Sequence, residues 1–515
     1  MAHSPLLAHL RRILHTSIAD GGAAPQLPSV DRRRFLGAAG AAVVATTMPA
    51  TAASRRRATA SIAVVGGGLA GLTCAYRLKQ SGLHATVFEA NNRFGGRCWT
   101  RRGDFQAGQI AEHGGELIDQ SHAAIRHLAQ QLQLPLVNVL QAQANGTDAF
   151  AHFGGAAYPF HDAARDLRAI WKAMHRDLID AGYPTTYTSS TPRGRQLDAM
   201  SIADWITATV PGGLQSPLGQ LLAVAYRIEY GAEIHEQSAL NLLYLLGYLG
   251  PGHLRIFGPS NEKYRVVGGN DLIATALANH LATQLAPQHR LLAVVRRPDG
   301  RFRLTFGTQP GIVEETFDHV VFALPFAVLD AAVDLTTAGF SARKLLAIHE
   351  LGRGANSKLN VQFTTRHWQA LGCNGETYAD LGYHATWDVS RGQSGNKGIL
   401  VNYTGGDYAR TFGGSVATVR AAQFVQQIQP VLPGAVSGWN GLATLDTWHD
   451  NQQSLCSYSY WKVGQYQLFA GVEGEREGNA YFCGEHTSQD AQGYLEGAVE
   501  TGERAAEEVV DAVLG

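Results

Sequence analysis

The sequence predicts an α/β fold in which one nucleotide-binding domain is assembled from separate stretches of the chain. The first observation is a short apolar run over 62–65, followed directly by a glycine-rich turn. The second is another glycine-containing block, residues 481–502, near the opposite end of the chain. The third is length, because 515 residues exceed what a single hydrophobic core usually organises. We therefore expect two domains, one of them discontinuous.

The first block follows the order strand, turn, helix, strand. Its predicted elements are a strand over 62–65, a helix over 69–80 and a strand over 85–88. The glycines of its G-x-G-x-x-G pattern are Gly66, Gly68 and Gly71. They permit a tight turn and let backbone N–H groups approach a pyrophosphate at the helix N-terminus. Glu89 ends the second strand and can accept hydrogen bonds from a ribose, so this frame predicts dinucleotide binding.

Two further segments indicate which dinucleotide is bound. Asn92-Arg-Phe-Gly-Gly-Arg97 follows the second strand, and a nicotinamide enzyme has no need of such a loop. The C-terminal block contains a predicted strand over 481–483, a Gly484-Glu485 turn and a helix from Gly493 onward. With both segments, the chain resembles the flavin-containing amine oxidase superfamily of monoamine, polyamine and L-amino acid oxidases. The resemblance covers roughly residues 60 to 510.

This resemblance implies a Rossmann-like FAD-binding domain of the amine oxidase type with an interleaved α+β substrate-binding domain. The expected FAD-binding segments are 58–115, 262–330 and 445–515, and the expected substrate-binding segments are 116–261 and 331–444. The FAD contacts that it implies are Gly66, Gly68, Gly71, Glu89, Arg93, Gly95, Gly96, Arg97, Gly484 and Glu485. Cys456 stands where monoamine oxidases carry a flavin-linked cysteine, but its neighbours look more like those of polyamine oxidases. We therefore expect FAD to be bound without a covalent bond.

The remaining elements are predicted from residue patterns along the chain. Helices are expected over 122–133, 162–181, 201–209 and 218–249, and Ser201 with Asp204 forms a capping-box-like start. Short strands are expected over 291–297, 301–306 and 319–325. They are followed by strands over 358–363 and 398–403 and by a helix over 415–429.

The resemblance also implies which side chains face the reacting amine. In the family a lysine at the start of a strand holds a water against the flavin, and Lys358 matches it, although a strand-end lysine is otherwise simply solvated. Tyr458, Trp461 and Tyr494 match aromatic positions that stand before the flavin, where aromatic faces attract cations and exclude water. The alternative for these aromatics is ordinary core packing.

Two carboxylates are candidate substrate-binding groups. Glu112 falls where polyamine oxidases carry a carboxylate that helps bind a cationic amine, and a structural role beside the flavin is the alternative. Glu116 is unusual for the family and could take that substrate-facing place. His113 and His486 are expected to be hydrogen-bonded structural histidines, and no metal site is expected.

The implied function is an FAD-dependent oxidase that takes a hydride from the C–N carbon of a primary or secondary amine. Its products are an imine, then an aldehyde or ketone, and H2O2, so its partners are a small amine and O2. An L-amino acid oxidase is an alternative: such enzymes place an arginine just after the Glu112 segment, and residues 114–119 lack one, although Arg227 or Arg255 could serve. A flavin dehydrogenase or desaturase with another electron acceptor, and a non-catalytic flavin-binding protein, are further alternatives.

The first 53 residues predict a twin-arginine export signal. Asp31-Arg-Arg-Arg-Phe-Leu36 precedes a small apolar run over 37–47 and an A-x-A cleavage site at 50–52. The run is too short and too rich in alanine and glycine to span a bilayer well. We therefore expect a periplasmic or secreted protein without stable membrane insertion. Without the leader, 37 basic residues stand against 41 acidic ones, and this charge near −4 disfavours nucleic acid or an anionic membrane as a partner. A homodimer is left open.

Overall fold

The computed structural model describes residues 60–247 and 260–515. The predicted export signal over 1–53 and Arg255 lie outside the described residues. In chain order, the strands are β1 (Ile62–Val65), β2 (Ala85–Phe88), β3 (Thr100–Arg101), β4 (Ala111–Glu112), β5 (Leu136–Asn138), β6 (Asp148–Phe153), β7 (Ala156–Ala157), β8 (Tyr264–Val266), β9 (Leu285–Ala286), β10 (Arg290–Arg296), β11 (Phe302–Gly307), β12 (Ile312–Phe317), β13 (His319–Phe322), β14 (Asp334–Thr337), β15 (Gly352–Arg353), β16 (Asn356–Phe363), β17 (Cys373–Ala379), β18 (Ala385–Asp388), β19 (Gly398–Gly405), β20 (Trp439–Thr447), β21 (Ser459–Tyr460) and β22 (Ala480–Phe482).

The α-helices are numbered in the same way. They are α1 (Leu69–Gln80), α2 (Ala123–Gln131), α3 (Phe160–Ala181), α4 (Pro192–Asp198), α5 (Ile202–Thr209), α6 (Pro217–Tyr230), α7 (Ala239–Leu246), α8 (Asp271–His280), α9 (Phe326–Ala332), α10 (Ala342–Glu350), α11 (His367–Ala370), α12 (Gly406–Arg410), α13 (Ala417–Ile428), α14 (Ala435–Gly438), α15 (Gln465–Phe469) and α16 (Leu495–Leu514). Within the described ranges, none of these helices combines the length and the apolar character needed to cross a lipid bilayer.

A five-stranded parallel sheet joins the two ends of the chain. Its order is β22-β13-β1-β2-β9, so strands from distant parts of the sequence lie side by side. Helices α1 and α16 pack together and bury apolar residues such as Leu72 and Val499 in one core with this sheet. Because parallel neighbours need crossovers that cover both faces, all four residues of β1 are buried. The predicted α/β class with a discontinuous nucleotide-binding domain is confirmed, while its exact boundaries stay a prediction.

A seven-stranded sheet forms the second large layer. Its order is β20-β16-β19-β18-β17-β6-β7, with β16 between antiparallel neighbours β19 and β20. Every residue of β16 is buried, which places its polar side chains inside the molecule. One core under this sheet contains residues of β16, β19 and α13, and a separate helical core contains residues of α3 and α5 to α7. Strand β16 thereby carries its side chains into a site between the two sheets.

Several elements end where the sequence predicts, and one prediction is wrong. Strands β1 and β2 and helix α1 have the predicted bounds, and Ser201 and Asp204 form the expected capping box at α5. The single helix expected over 218–249 is instead two helices, α6 and α7. Gly231 ends α6 with φ of +63°, and a Cβ there would stand 2.2 Å from Asn356 Oδ1. The break follows from a left-handed glycine cap, which apolar periodicity does not reveal.

Candidate active site

The glycine turn after β1 is shaped by close backbone approaches. Gly66 has φ of +111°, and a Cβ there would stand 2.6 Å from the Ala323 carbonyl oxygen. A Cβ on Gly71 would stand 2.0 Å from the Gly66 carbonyl oxygen. Glu89 Oε2 accepts a 2.8 Å hydrogen bond from the Gly67 N–H and so fixes the turn against the end of β2. Only glycine therefore lets α1 begin this close to the end of the strand.

A cavity of about 480 Å³ lies in front of this turn. That volume is within the range typical of ligand and cofactor sites. The predicted FAD contacts that line it are Gly66, Gly68, Glu89, Arg93, Gly95, Gly96, Arg97, Gly484 and Glu485. Gly71, the remaining predicted contact, is not among the lining residues and acts by permitting the close approach of α1. The structure thus brings the motifs from both ends of the chain to one cavity.

A partly buried ion pair joins these two motifs. Arg97 Nη1 lies 3.1 Å from Glu485 Oε1 and donates a 2.8 Å hydrogen bond to the Ser457 carbonyl. Glu485 Oε2 also accepts hydrogen bonds from the Ser459 hydroxyl and the Gly493 N–H, at 2.8 and 3.0 Å. Burial alone would raise the pKa of Glu485, but the charge of Arg97 and these donors outweigh it, and the net shift is downward. Glu485 is therefore a carboxylate that holds the cavity wall together.

The cavity wall fits a phosphate-bearing dinucleotide such as FAD. The N-terminus of α1 has no acidic residue in its first turn and no side-chain cap, so its N–H groups are open to a ligand. A Cβ on Gly96 would stand 3.2 Å from the Gly68 Cα, which shows how closely two glycine loops approach. The two ring nitrogens of His486 and the Arg93 Nη1 are buried with no hydrogen-bond partner among the described atoms. A bound ligand would satisfy these groups.

The two histidines of the flavin motifs differ in their surroundings. His113 is hydrogen bonded as expected, with Nδ1 2.7 Å from Asp446 Oδ1, and its ring stacks on Trp99 at 3.5 Å. His486 lines the cavity and lacks the expected hydrogen bond among the described atoms. Burial lowers the pKa of His486 to about 4, so the ring is neutral at physiological pH. The expected hydrogen bond is thus present for His113, and among the described atoms it is not found for His486.

Lys358 lies in the cavity and is paired with Glu116. The Lys358 Nζ is 2.8 Å from Glu116 Oε2 and donates a 3.1 Å hydrogen bond to the Gly114 carbonyl. Trp387 Nε1 donates a 3.2 Å hydrogen bond to Glu116 Oε1. Burial would raise the pKa of Glu116, but the charge and hydrogen bond of Lys358, the charge of Arg265 and the Trp387 donor together outweigh it, and the net shift is downward. Glu116 lines the cavity, yet its charge is directed at the lysine, so the predicted substrate-facing role gives way to an ion pair.

Glu112 is a structural carboxyl group. It accepts hydrogen bonds from the Thr100 hydroxyl at 2.8 Å and from the Asn270 N–H at 2.9 Å, which tie the β3–β4 hairpin to the turn before α8. Burial raises the pKa of Glu112 to about 7, although the two hydrogen bonds that it accepts act in the opposite direction. Glu112 is not among the cavity-lining residues. The structure therefore contradicts its predicted substrate-binding role and supports the structural alternative.

Two of the three predicted aromatic side chains line the cavity. Tyr458 donates a 2.9 Å hydrogen bond to the Ile228 carbonyl, and Tyr494 donates a 2.6 Å hydrogen bond to Glu229 Oε1. Trp461 instead lies in a hydrophobic core, with its ring 5.0 Å from that of Tyr466 and 5.9 Å from that of Phe469. The predicted place of Trp461 in the aromatic wall is therefore wrong, because its backbone turns the ring into the core.

Four other residues of the wall are not predicted by the sequence. They are Glu229 and Tyr230 at the end of α6, Trp387 on β18 and Tyr403 on β19. The hydroxyl oxygens of Tyr403 and Tyr458 are 3.0 Å apart. Burial raises the pKa of Glu229 to about 7. The only signal of Glu229 in the sequence is an isolated glutamate beside a tyrosine at a helix end, and no pattern predicts β18 at all.

In the described part of the chain, neither Arg227 nor Arg265 lies in the wall of this cavity, where it could receive a substrate carboxylate. Arg227 Nε lies 2.8 Å from Glu233 Oε2 and is not among the lining residues. Arg265 lines an adjoining chamber, where its Nη1 donates a 2.6 Å hydrogen bond to the Val389 carbonyl. Among the residues that the structure describes, the basic side chains that line the cavity include Lys358 and Arg97, and both of these are paired with carboxylates.

Cys456 lies behind the cavity wall. Its Sγ donates a 3.4 Å hydrogen bond to the Ser454 carbonyl, and both Ser454 and Ser457 line the cavity while Cys456 does not. Burial raises the pKa of the Cys456 thiol to about 11, which keeps the sulfur protonated and a weak nucleophile.

Comparison with known proteins gives one family. Residues 69–510 match the family model described as flavin containing amine oxidoreductase. The chain is 24% identical over 478 residues to the flavin-containing amine oxidase B of Sus scrofa, covering 88% of this chain and 86% of the relative. Cyclohexylamine oxidase from Brevibacterium oxydans superposes with a TM-score of 0.76 at 17% identity, covering 89% of this chain and 100% of its own. Putrescine oxidase bound to putrescine gives a TM-score of 0.74 at 18% identity, with 88% and 99% covered.

Proposed function

The chain belongs to the flavin-containing amine oxidoreductase family, and from that premise we propose that it oxidises primary or secondary amines with O2 as the electron acceptor. Its cofactor is FAD, and Lys358 together with Tyr458 and Tyr494 carries the proposal. These side chains line the same cavity as the dinucleotide motifs, so an amine between the tyrosines would lie beside the cofactor. When bound, FAD supplies the acceptor for the hydride that leaves the C–N carbon. The products are then an imine, which hydrolyses to an aldehyde or ketone, and H2O2.

The residues of the wall bind the amine and exclude water. Tyr458, Tyr403 and Tyr230 present aromatic surface, which attracts a cationic amine and leaves little room for solvent. Tyr494 is held by Glu229, and this hydrogen bond fixes the position of its ring. Fixed side chains that hold a reactant in one orientation lower the entropic cost of reaction.

Glu229 favours an amine over an amino acid. Its carboxyl group lies in the cavity wall with Tyr494 as its hydrogen-bond partner and no cation paired with it in the described part of the chain. In its ionised form such a group attracts an ammonium and repels a substrate carboxylate. The L-amino acid oxidase alternative needs a cation at this place and is therefore the second candidate.

A peroxide-coupled screen tests this function. The purified protein is expected to be yellow and to release H2O2 with monoamines, diamines or polyamines, but not with the common L-amino acids. Strong activity on amino acids alone would establish the second candidate. Bleaching of the flavin by an amine without oxygen, with no peroxide in air, would indicate a dehydrogenase or desaturase, and no bleaching at all would indicate a non-catalytic flavoprotein.

FAD is proposed to be bound without a covalent bond. The burial of the Cys456 thiol and its place behind the lining residues support this. Acid precipitation is expected to release the flavin into the supernatant. Flavin that stays with the pellet, and is lost from it in Cys456→Ala, would show a covalent bond.

Export by the twin-arginine route is likewise a proposal, supported by the Asp31–Leu36 sequence and the following apolar run. Export of a folded, FAD-loaded protein to the periplasm or medium is expected to stop when Arg32 and Arg33 are both changed to lysine. Cell fractionation followed by flavin fluorescence measures this, and unchanged export in that variant would contradict it. A homodimer is also left as a proposal, to be settled by light scattering.

A further inference from the structure

The ion pair between Lys358 and Glu116 lies at the partition between two chambers. Glu116 and Trp387 line both the cofactor cavity and the adjoining chamber that contains Arg265. Both side chains of the pair are about 5% exposed. Lys358 comes from β16, the second strand of the seven-stranded sheet, and Glu116 comes from the segment after β4. Two distant parts of the chain thus meet through one buried charge pair.

A buried charge in a protein needs a counter-charge close to it. Removing an ammonium from water favours its neutral form, and a carboxylate at hydrogen-bonding distance reverses that preference. Within the described ranges, Glu116 is the one carboxylate that forms an ion pair with Lys358 Nζ, at 2.8 Å. An ammonium group has three donors. Glu116 and the Gly114 carbonyl take two of them, which leaves one for the cavity that Lys358 lines.

Two titratable groups opposite Lys358 in the sheet are engaged elsewhere, and Glu262 is a further carboxyl group that lines both chambers. Asp446, opposite Lys358 on β20, is held by Arg101 and His113. Tyr403, opposite Lys358 on β19, shares a hydrogen bond with Tyr458. Two more charged side chains, Glu112 and Arg265, act on the pair through space. Glu112 accepts hydrogen bonds from its own two donors, and Arg265 donates to a backbone carbonyl.

We propose that Glu116 is a positioning residue that supplies the counter-charge of Lys358 and directs its remaining N–H into the cavity. This role rests on the proposed function only in that Lys358 serves the reaction there. Glu116 itself acts through the lysine. Trp387 holds the second oxygen of Glu116, so it orients the carboxylate toward Lys358.

The pH dependence of turnover tests the proposal. In FAD-loaded Glu116→Gln the ammonium loses its counter-charge, so the form with neutral lysine becomes populated at lower pH. The alkaline limb of the pH–rate profile is expected to move down by at least about one unit, with turnover lowered by about tenfold on that limb.

The matched control is Glu112→Gln, which removes a buried carboxyl group four positions away. It is expected to lower the melting temperature and to move the limb much less than Glu116→Gln does, because Glu112 makes no hydrogen bond to Lys358 among the described contacts. A limb that stays in place in Glu116→Gln, or moves equally in both variants, would overturn the proposal.

A second readout needs no substrate. The visible absorption spectrum of the bound flavin, titrated with alkali, is expected to show a transition at lower pH in Glu116→Gln than in the wild type. This difference is expected to disappear when Lys358→Met is present in both. If no amine reduces the wild-type flavin, the proposed function fails, and the spectral titration still decides the role of Glu116. Identical titrations in the wild type and Glu116→Gln would overturn that role.

A charge-keeping variant covers the case in which Glu116→Gln does not load FAD. Glu116→Asp retains the negative charge on a side chain one methylene shorter. It is expected to keep the wild-type alkaline limb and spectral titration, with lowered turnover because Lys358 is drawn out of position. The proposal would be overturned if turnover in Glu116→Asp matched the wild type, because the position of the carboxylate would then not matter.

Discussion

The cofactor side and the substrate side of the cavity are built in different ways. On the cofactor side, Gly66 and Gly71 admit backbone atoms where any Cβ would collide, so the main chain forms part of the wall. On the substrate side, tyrosines and a glutamate from α6, β19 and the C-terminal block converge, and the wall is side chain. A wall made of backbone constrains residue type at each position, whereas a wall of side chains can be composed in many ways. Substitutions should therefore be severe on the first side and graded on the second.

The ion pairs of the two sides show the same contrast. Arg97 and Glu485 hold two loops together, and the carboxylate has donors from Ser459 and Gly493 as well. Lys358 and Glu116 are connected to fewer groups and leave a donor toward the cavity. The first pair maintains the shape of the site, and the second maintains a charge within it.

The largest effect is expected from a methyl group on the cofactor side. In Gly71→Ala the new Cβ would stand 2.0 Å from the Gly66 carbonyl oxygen, so α1 must move away from the turn. Overpacking of this kind costs roughly 1–3 kcal/mol of folding free energy and here also moves the N–H groups that face the pyrophosphate. We expect protein purified without bound FAD, measured by the ratio of absorbance in the flavin band to that in the protein band.

The control for this change is Gly82→Ala at the other end of α1. No heavy atom lies within 4 Å of the position of that Cβ, and the cost is only that of a φ of +78°. Gly82→Ala should be purified with FAD. Full FAD content in Gly71→Ala would mean that the cofactor side tolerates side chains as readily as the substrate side.

The next effect is expected from Lys358. Lys358→Met removes the charge but keeps much of the apolar volume, so turnover should fall by at least about tenfold, which corresponds to about 1.4 kcal/mol of barrier. FAD should remain bound, because Lys358 has no part in the glycine loops. Stopped-flow measurement of flavin reduction and reoxidation would show which step is slowed. If both steps run at wild-type rates, Lys358 does not belong to the reactive part of the cavity.

A smaller and pH-dependent effect is expected from Glu229. Burial raises the pKa of Glu229 to about 7, so the group is neutral below that pH and a carboxylate above it. The affinity for cationic amines should therefore weaken as the pH falls through this pKa. Glu229→Gln should raise KM by a few-fold at mildly alkaline pH, about 1 kcal/mol, and make KM insensitive to pH in this window. Because the substrate also titrates, the wild type and variant must be compared with the same amine. A variant whose KM follows the wild-type curve would remove Glu229 from substrate recognition.

The sequence predicts the cofactor side better than the substrate side for a physical reason. Glycines that admit close backbone contacts recur at fixed spacing along one local segment, so the pattern from Gly66 to Gly71 is recognisable in the sequence alone. Glu229, Trp387 and Tyr403 reach the cavity only because β16, β18 and β19 pair and α6 packs on them. Such convergence is set by tertiary contacts, and no local pattern shows it. For the same reason the sequence marks Lys358 and Glu116 as separate candidates and does not predict that they pair.

Trp461 gives the smallest expected effect on activity and tests the border between core and wall. Its ring packs on Tyr466 and Phe469, and its carbonyl accepts a 2.8 Å hydrogen bond from Asn241 Nδ2, which is unaffected by the side chain. Trp461→Phe should therefore lower the free energy of unfolding by about 1–3 kcal/mol through lost packing. It should leave KM and kcat near wild type at temperatures where the variant is folded.

Tyr494→Phe is the matched change on the wall. It removes the hydroxyl that donates a hydrogen bond to Glu229, and it should alter KM with little loss of stability. Chemical denaturation and steady-state kinetics on the two variants separate these outcomes. If Trp461→Phe changed KM as much as Tyr494→Phe does, the core around Trp461 would have to open onto the substrate, and the side-chain wall would extend further into the molecule than the cavity lining does.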